Sequence, residues 1–564
     1  MTLMEVLPDE LLIQICIYLK PYDVLNSLNN LNTRLNRTIT KYRQNINLSN
    51  ISFDECQRYC TLILPSISST IRSLTLSNRH TPKQIEIVLN KLNFKYQFEC
   101  LTLIDCTNDD TERYLTKLEI FQHLNEFHIL SDNLLLENET FVLKKLFSNK
   151  THLNKIDIKW LLGFSLEHIV LKQNKYILDL EITLNSINDL MILFNIVPNI
   201  QRLNVEIGSD SCVSKIKSLN LCSLTYLHLK MDNRQLKYYT FELLMRYIPT
   251  LEHVSINIST YDKRFINGHD LKSLLHKLKQ FHCSVELKDK EINIDYVIQT
   301  FTTEFWLIEK KWYINCYNDF DCQTFYLHTL PYPYKIMSSI HLVNSKSTSP
   351  TIIYSTITDV FFNGHNNYLF RSSFFQFLNQ FRNIQRLTLS QSCFIMDKQQ
   401  QPLVLSKLRH LSILGSFDND LSLIFFNSLL SKCLNISSLC LSYIKIQLLI
   451  QNINSDYYRW TNYIEHLTIH SSNEITLDEL QTLSKIFPKI NYLKFSILND
   501  LFNKSICITI DNFRYLKYLN VYCVKNERHN IEILLRQNTA RLKNKKNKFV
   551  CVYSEDEQNV EIWI

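Results

Sequence analysis

A chain of 564 residues that is 45% apolar and 20% charged has ample material for a packed core and too little charge for a disordered polymer. Its formal net charge of +7 is mild for this length and its basic residues are scattered, so nucleic-acid binding has no electrostatic support. The glycines Gly163, Gly208, Gly268, Gly364 and Gly415 are all isolated, which excludes a phosphate-cradling loop of the Walker or Rossmann kind.

The first forty residues carry a dense helical pattern. Leu7-Pro8-Asp9-Glu10-Leu11-Leu12 opens a helix, with Pro8 where a missing N–H costs nothing and Asp9 and Glu10 in the first turn, where the helix dipole favours negative charge. Leu12, Ile15 and Leu19 recur at three- and four-residue spacing, which predicts one shared face, widened by Leu11. Lys20-Pro21 ends that helix, and Pro21 with Asp23 opens a second that carries Val24, Leu25 and Leu28. A third is predicted to carry Leu31, Leu35, Ile39 and Tyr42. Three helices this short cannot bury so much apolar surface among themselves, and the surplus asks for a partner.

This pattern resembles the F-box, the helical module that docks substrate receptors onto the adaptor of cullin–RING ubiquitin ligases. The residues that carry the resemblance are Leu7-Pro8-Asp9-Glu10-Leu11-Leu12, Ile15, Leu19, Pro21, Asp23, Val24, Leu25 and Leu31, within residues 4–45. Many members have a tryptophan near positions 34–35, where this chain has Arg34-Leu35. The resemblance implies adaptor binding through Leu7, Pro8, Leu11, Leu12, Ile15, Leu19, Pro21, Asp23, Val24, Leu25, Leu28, Leu31 and Leu35.

The rest of the chain is periodic. The hexad apolar-x-x-apolar-x-apolar appears as Ile71–Leu76, Phe98–Leu103, Leu124–Ile129, Leu153–Ile158, Ile177–Ile182, Ile200–Val205, Leu224–Leu229, Leu251–Ile256 and Leu278–Cys283. It resumes as Ile357–Phe362, Ile384–Leu389, Leu408–Ile413, Ile436–Leu441, Ile464–Ile469, Ile490–Phe495 and Leu516–Val521. From 71 to 98 is 27 residues and from 464 to 490 is 26, a period that resembles leucine-rich repeats of the long, irregular type found in F-box proteins. Each unit reads as a strand and a returning helix, such as Thr140–Phe147 or Leu477–Phe487, that buries its apolar face only by stacking on neighbours.

The expected fold is therefore α/β: an F-box-like three-helix module over residues 1–45, then a leucine-rich-repeat-like solenoid with a parallel concave sheet and outer helices over 46–299 and 351–564. Between its halves, residues 300–350 read as an insertion, because Phe305-Trp306, Lys311–Cys316 and Thr324–Pro331 are aromatic and β-prone. There 300–335 is predicted as a hairpin and Val343–Pro350 as an exposed loop. Val560–Ile564 is predicted to be a terminal capping strand.

Catalytic, metal and cofactor sites are not expected. His466 and His470 are four apart on a strand, about 13 Å, too far to chelate one ion. Cys56 and Cys60 lie on a predicted helix with no further ligand near, and no Gly-x-Ser-x-Gly setting exists for a nucleophile. The sixteen cysteines form no Cys-x-x-Cys pair, and many, such as Cys100, Cys440, Cys523 and Cys551, read as buried thiols of a reducing compartment, cytoplasm or nucleus. The N-terminus has no signal-peptide pattern, and no apolar run is long enough to span a membrane. The run Lys543–Lys548 reads as a loop.

What the repeats offer is a surface. The fourth and sixth hexad residues point inward, so the third, fifth and seventh line the concave sheet. Those columns include Lys155, Asp157 and Lys159, then Tyr226, His228 and Lys230, and in the C-terminal half Arg386, His466, His470, Tyr492, Lys494, Tyr518 and Tyr522. That aromatic and basic mixture suits an acidic or phosphorylated peptide. Together the modules imply a non-catalytic substrate receptor, the helices holding the adaptor and the repeats an unknown protein target. The alternative is an interaction scaffold whose divergent F-box takes no part in ubiquitination.

Overall fold

The computed structural model describes residues 7–92, 98–118, 121, 123–130, 139–148, 150–160, 162–208, 223–289, 292–319, 323–338, 345–349, 354–363, 378, 380–390, 405–414, 430, 433, 435–451, 456–470, 475–497, 502–523, 531–543, 549–553 and 559–564. Residues 544–548 of the lysine run, Gly364 and Gly415 lie outside them. The chain is mixed α/β, with long, mainly parallel sheets and no closed barrel among the described strands. It divides into two compact units, Met1–Lys288 and Asp289–Ile564.

The first unit opens with α1 (Asp9–Ile17), α2 (Pro21–Leu28), α3 (Thr33–Thr38) and α4 (Thr40–Gln44). Pro8 precedes α1, and Pro21 occupies the first turn of α2. Asn32 caps α3 by accepting from the Leu35 amide at 2.8 Å. The predicted third helix is thus two, broken at Ile39. Thr38 and Thr40 hydroxyls donate back to the carbonyls of Arg34 and Arg37, a local bonding that competes with a straight helix. Leu31, expected within this helix, lies ahead of the Asn32 cap and is exposed.

Strands then follow in chain order: β1 (Asn45–Asn47), β2 (Ser73–Ser77), β3 (Cys100–Ile104), β4 (Glu126–Leu130), β5 (Lys155–Ile158), β6 (Asp179–Leu184), β7 (Arg202–Ile207), β8 (Tyr226–Gln235), β9 (His253–Thr260) and β10 (Gln280–Leu287). Each is hydrogen-bonded in parallel to the next. The hexad pattern did not reveal β1, whose leading apolar position is occupied by Arg43.

In the second unit, β11 (Tyr313–Asp319) and β12 (Thr324–Leu330) form an antiparallel pair with Tyr313 opposite Leu330 and Asp319 opposite Thr324. After β13 (Ile336–Ser338) comes β14 (Lys346–Ser347), which pairs with β11. The loop expected over Val343–Pro350 is therefore corrected at 346–347, where the β11 edge recruits the backbone; residues 343, 344 and 350 lie outside the described set. A second sheet runs from β13 through β15 (Asp359–Asn363), β16 (Arg386–Ser390), β17 (His410–Ile413), β18 (Ser438–Ser442), β19 (His466–His470), β20 (Tyr492–Ile497) and β21 (Tyr518–Cys523), all parallel. It ends with β22 (Val550–Tyr553) and β23 (Asn559–Trp563), where β23 runs antiparallel to β21 and β22.

One backbone device recurs at the entry to these strands. The carbonyl of the second hexad residue accepts two amides, those of the second and third residues of the next hexad. Arg72 accepts from Glu99 at 2.8 Å and Cys100 at 3.0 Å, Glu99 from Asn125 and Glu126, and Asn125 from Asn154 and Lys155. In the second unit Ser437 accepts from Glu465 and His466, and Glu465 from Asn491 and Tyr492. A one-residue slip would lose both bonds and turn every side chain to the wrong face. Third residues therefore align, as Ser73, Cys100, Glu126, Lys155, Asp179, Arg202, Tyr226, His253 and Gln280 do in the first unit.

The fourth and sixth hexad residues form the core. Leu74, Leu76, Leu101, Leu103, Leu467 and Ile469 are buried, each contributing about 1.5–3 kcal/mol. Returning helices cover them, as Gln84–Lys91 does with Ile85, Val88 and Leu89, and Leu477–Ile486, opened by the Thr476–Glu479 capping box, with Leu480 and Leu483.

Gly163 marks a close backbone approach. Its φ is +74°, and a Cβ there would lie 2.7 Å from the Leu184 carbonyl carbon, beside the bridge Phe164 makes with Leu184. Gly163→Ala is expected to lower the unfolding free energy by about 1–3 kcal/mol in denaturant titration, and an unchanged midpoint would contradict this packing.

Candidate functional site

The N-terminal helices divide the residues read as adaptor-binding. Leu12, Val24, Leu25, Leu28 and Leu35 are buried, joined by Cys16, Tyr22 and Ile39, so these leucines hold the helices together. Leu7, Pro21 and Asp23 are half-buried, and Pro8 is exposed. Leu11 (45% exposed), Ile15 (39%), Leu19 (40%) and Leu31 (62%) remain open. The single stripe expected through Leu12, Ile15 and Leu19 is corrected: Leu12 and Cys16, four apart, face inward, and Leu11 and Ile15, also four apart, face out. Tyr18 and Ile17 extend the exposed apolar surface. Arg34 ties α3 to α1 through Asp9, 2.8 Å away, and through the Leu7 carbonyl.

The open face of the first sheet is a field of paired charges. Lys155 lies 3.4 Å from Glu126, Lys230 3.1 Å from Glu206, and Lys159 also pairs with Glu181, at 2.5 Å. Arg202 reaches Asp179 and stacks its guanidinium 4.6 Å from the Tyr226 ring. His228 carries its burial as a cost to charge, aided by Lys230 and Lys159, which together push its pKa down to about 4. His128 goes the other way. Burial opposes its charge, yet hydrogen bonding to Asp157 and Cys100 outweighs this and raises its pKa to about 10.

Here the register assembles a group that sequence reading missed. Ligand atoms of Cys100, Glu126 and His128 lie within 4.8 Å of one another. Cys100 and Glu126 are cross-strand partners, and Glu126 and His128 are two apart on one strand, hence on one face. Reading third and fifth residues of adjacent hexads together would have found them; scanning for ligand spacing within one segment could not. The pairs weighed from sequence stand elsewhere. Cys56 and Cys60 are buried thiols hydrogen-bonded to each other, which pushes Cys56 up and Cys60 down.

In the second unit the predicted column forms a ladder of rings. His466 stacks on Tyr492 at 5.3 Å, Tyr492 on Tyr518 at 4.6 Å, and Trp563 meets Tyr518 edge-on at 5.1 Å. Tyr518 was expected on the exposed surface and is instead buried, only 7% accessible, because β23 pairs antiparallel with β21 and sets Trp563 opposite it. Asn520 bonds the Tyr518 hydroxyl and the Glu561 carboxylate beneath. Arg386, His470, Lys494 and Tyr522 are exposed as expected, with Arg386 3.5 Å from Asp359. His466 and Tyr492 are half-buried.

No protein-family model matches the chain, and no curated protein matches it either. Among the described residues, no helix is long and apolar enough to cross a membrane.

The ladder separates structural from available rings. Tyr518→Ala is expected to cost about 3 kcal/mol or more of stability, and Tyr492→Ala, stacked on both faces but only half-buried, about 1–2 kcal/mol. Equal losses in urea titration would contradict the sealing of Tyr518 by Trp563.

Proposed function

We propose that this chain is the substrate-recognition subunit of an SCF-type cullin–RING ubiquitin ligase. α1 to α4 act as an F-box that docks the adaptor, and the strand–helix units act as a leucine-rich-repeat solenoid whose concave sheet holds the protein to be ubiquitinated. The observation that carries this reading is that Leu11 and Ile15 on α1, with Leu19 just beyond its end and Leu31 ahead of α3, stay exposed while Leu12, Leu25, Leu28 and Leu35 are buried. Single exposed leucines are ordinary, but Leu11, Ile13, Ile15, Ile17, Tyr18 and Leu19, all exposed within nine residues, favour an interaction site. Arg34, where many F-boxes have tryptophan, supports the same arrangement by bonding α3 to α1.

The chain then works by proximity and carries no thioester-forming residue. Holding a target and the adaptor on one molecule makes transfer from the conjugating enzyme effectively intramolecular. On this reading the chain is not itself an enzyme, and it works in the cytoplasm or nucleus.

Binding and stability are expected to separate by residue. Leu11→Asp with Ile15→Asp should leave thermal unfolding within a degree or so of wild type, being surface changes, and reduce co-purification of the adaptor by more than about thirtyfold. Leu12→Ala should instead destabilise the helices by about 2–5 kcal/mol. Undiminished adaptor capture by the folded double variant would sink the proposal.

A further inference from the structure

We propose that Cys100, Glu126 and His128 form a binding site for a zinc-class divalent cation on the open face of β3 and β4. The inference rests on local geometry and is independent of the ligase reading. The donor set is a thiol, an imidazole and a carboxylate, the three ligand types that zinc combines, and their atoms already converge within 4.8 Å. His128 Nε2 and Glu126 Oε2 are 3.4 Å apart. Two ligands bonded at about 2.1 Å in a tetrahedron are separated by about 3.4 Å, so this pair already stands at chelating distance.

The surroundings are those of a metal-bound histidine. His128 Nδ1 faces Asp157 Oδ2 at 3.5 Å, on the adjacent strand β5. That carboxylate would orient the ring and leave Nε2 for the cation, the outer contact that zinc-bound histidines make. Lys155, opposite Glu126 on β5, also lies close, its Nζ 3.4 Å from Glu126 Oε2. Its side chain is 40% exposed and can swing into solvent when a cation takes that carboxylate.

Binding would release two protons to solvent, one from the Cys100 thiol and one from Nε2 of the His128 imidazolium, whose pKa is raised to about 10, because thiolate and neutral imidazole are the ligands. Three protein ligands leave a fourth tetrahedral position open, for water or for a side chain of a protein docked on the sheet. Asp157 is a positioning residue here and touches no cation.

Cobalt is the probe, since it replaces zinc in such sites and reports thiolate bonding optically. The full-length chain, freed of metal by a chelator, is titrated with Co²⁺. Wild type is expected to develop a near-ultraviolet thiolate-to-cobalt band with intense visible bands of tetrahedral cobalt, both lost on adding Zn²⁺. Cys100→Ser should abolish the near-ultraviolet band, and Asp157→Asn should weaken Co²⁺ binding about 10- to 100-fold while keeping the band. Cys100 is only partly buried, so its serine variant is expected to match wild type in metal-free thermal unfolding. Should that variant not fold, Glu126→Gln, on a half-exposed side chain, gives the same readout through weakened affinity. Absence of a thiolate band in wild type, or a band that persists unchanged in folded Cys100→Ser, would overturn the site.

Discussion

The structure depends on a shared acceptor. At the entries of β3 to β10 and of β15 to β21 one carbonyl takes two amides from the next strand, as Arg72 does from Glu99 and Cys100 and Ser437 from Glu465 and His466. Parallel strands have evenly spaced bonds and no hairpin turn to set their register, so something must choose it. The double acceptor does so through the backbone, whatever the side chains are. It leaves the third, fifth and seventh positions free to vary while the fourth and sixth stay apolar.

Fixed register turns distant residues into neighbours. Cys100, Glu126 and His128 meet through it, as do His466, Tyr492 and Tyr518. The two units use their open faces differently. In the first, cations and carboxylates pair across strands, Lys155 with Glu126 and Lys230 with Glu206, so the surface is charged but largely self-compensated. Such exposed pairs add little stability each and are screened by salt, which makes them more suited to selectivity than to holding the sheet. In the second, rings stack into a ladder whose last member is sealed by the terminal strand.

The N-terminal helices follow another logic. They are too short to be stable alone, so each gives its best-placed leucines to the common interior: Leu12, Leu25, Leu28 and Leu35. The interior fills before the apolar residues are exhausted. Leu11, Ile15, Leu19 and Leu31 are the surplus that stays exposed.

Much of this was legible in the sequence, and the rest was not, for one reason. Hexad spacing is local and repeated, so it determined most of the strands, their inward positions, the aligned columns and the α/β class; aromatic, β-prone runs marked the hairpin of β11 and β12, whereas Phe305–Glu309, read as part of it, is helical. Proline and acid placement determined where α1 and α2 begin. Only tertiary structure decided which face of α1 is covered, since leucines at 11 and 12 look alike until neighbouring helices choose one. It alone decided that Thr38 and Thr40 would divide the third helix, that β1 and β13 would join sheets without a full hexad, and that Trp563 would close over Tyr518. It also brought a thiol, a carboxylate and an imidazole together from two hexads. Periodicity states what each unit is; the contacts between units, which carry the sites, arise only when backbone bonds fix one unit against the next.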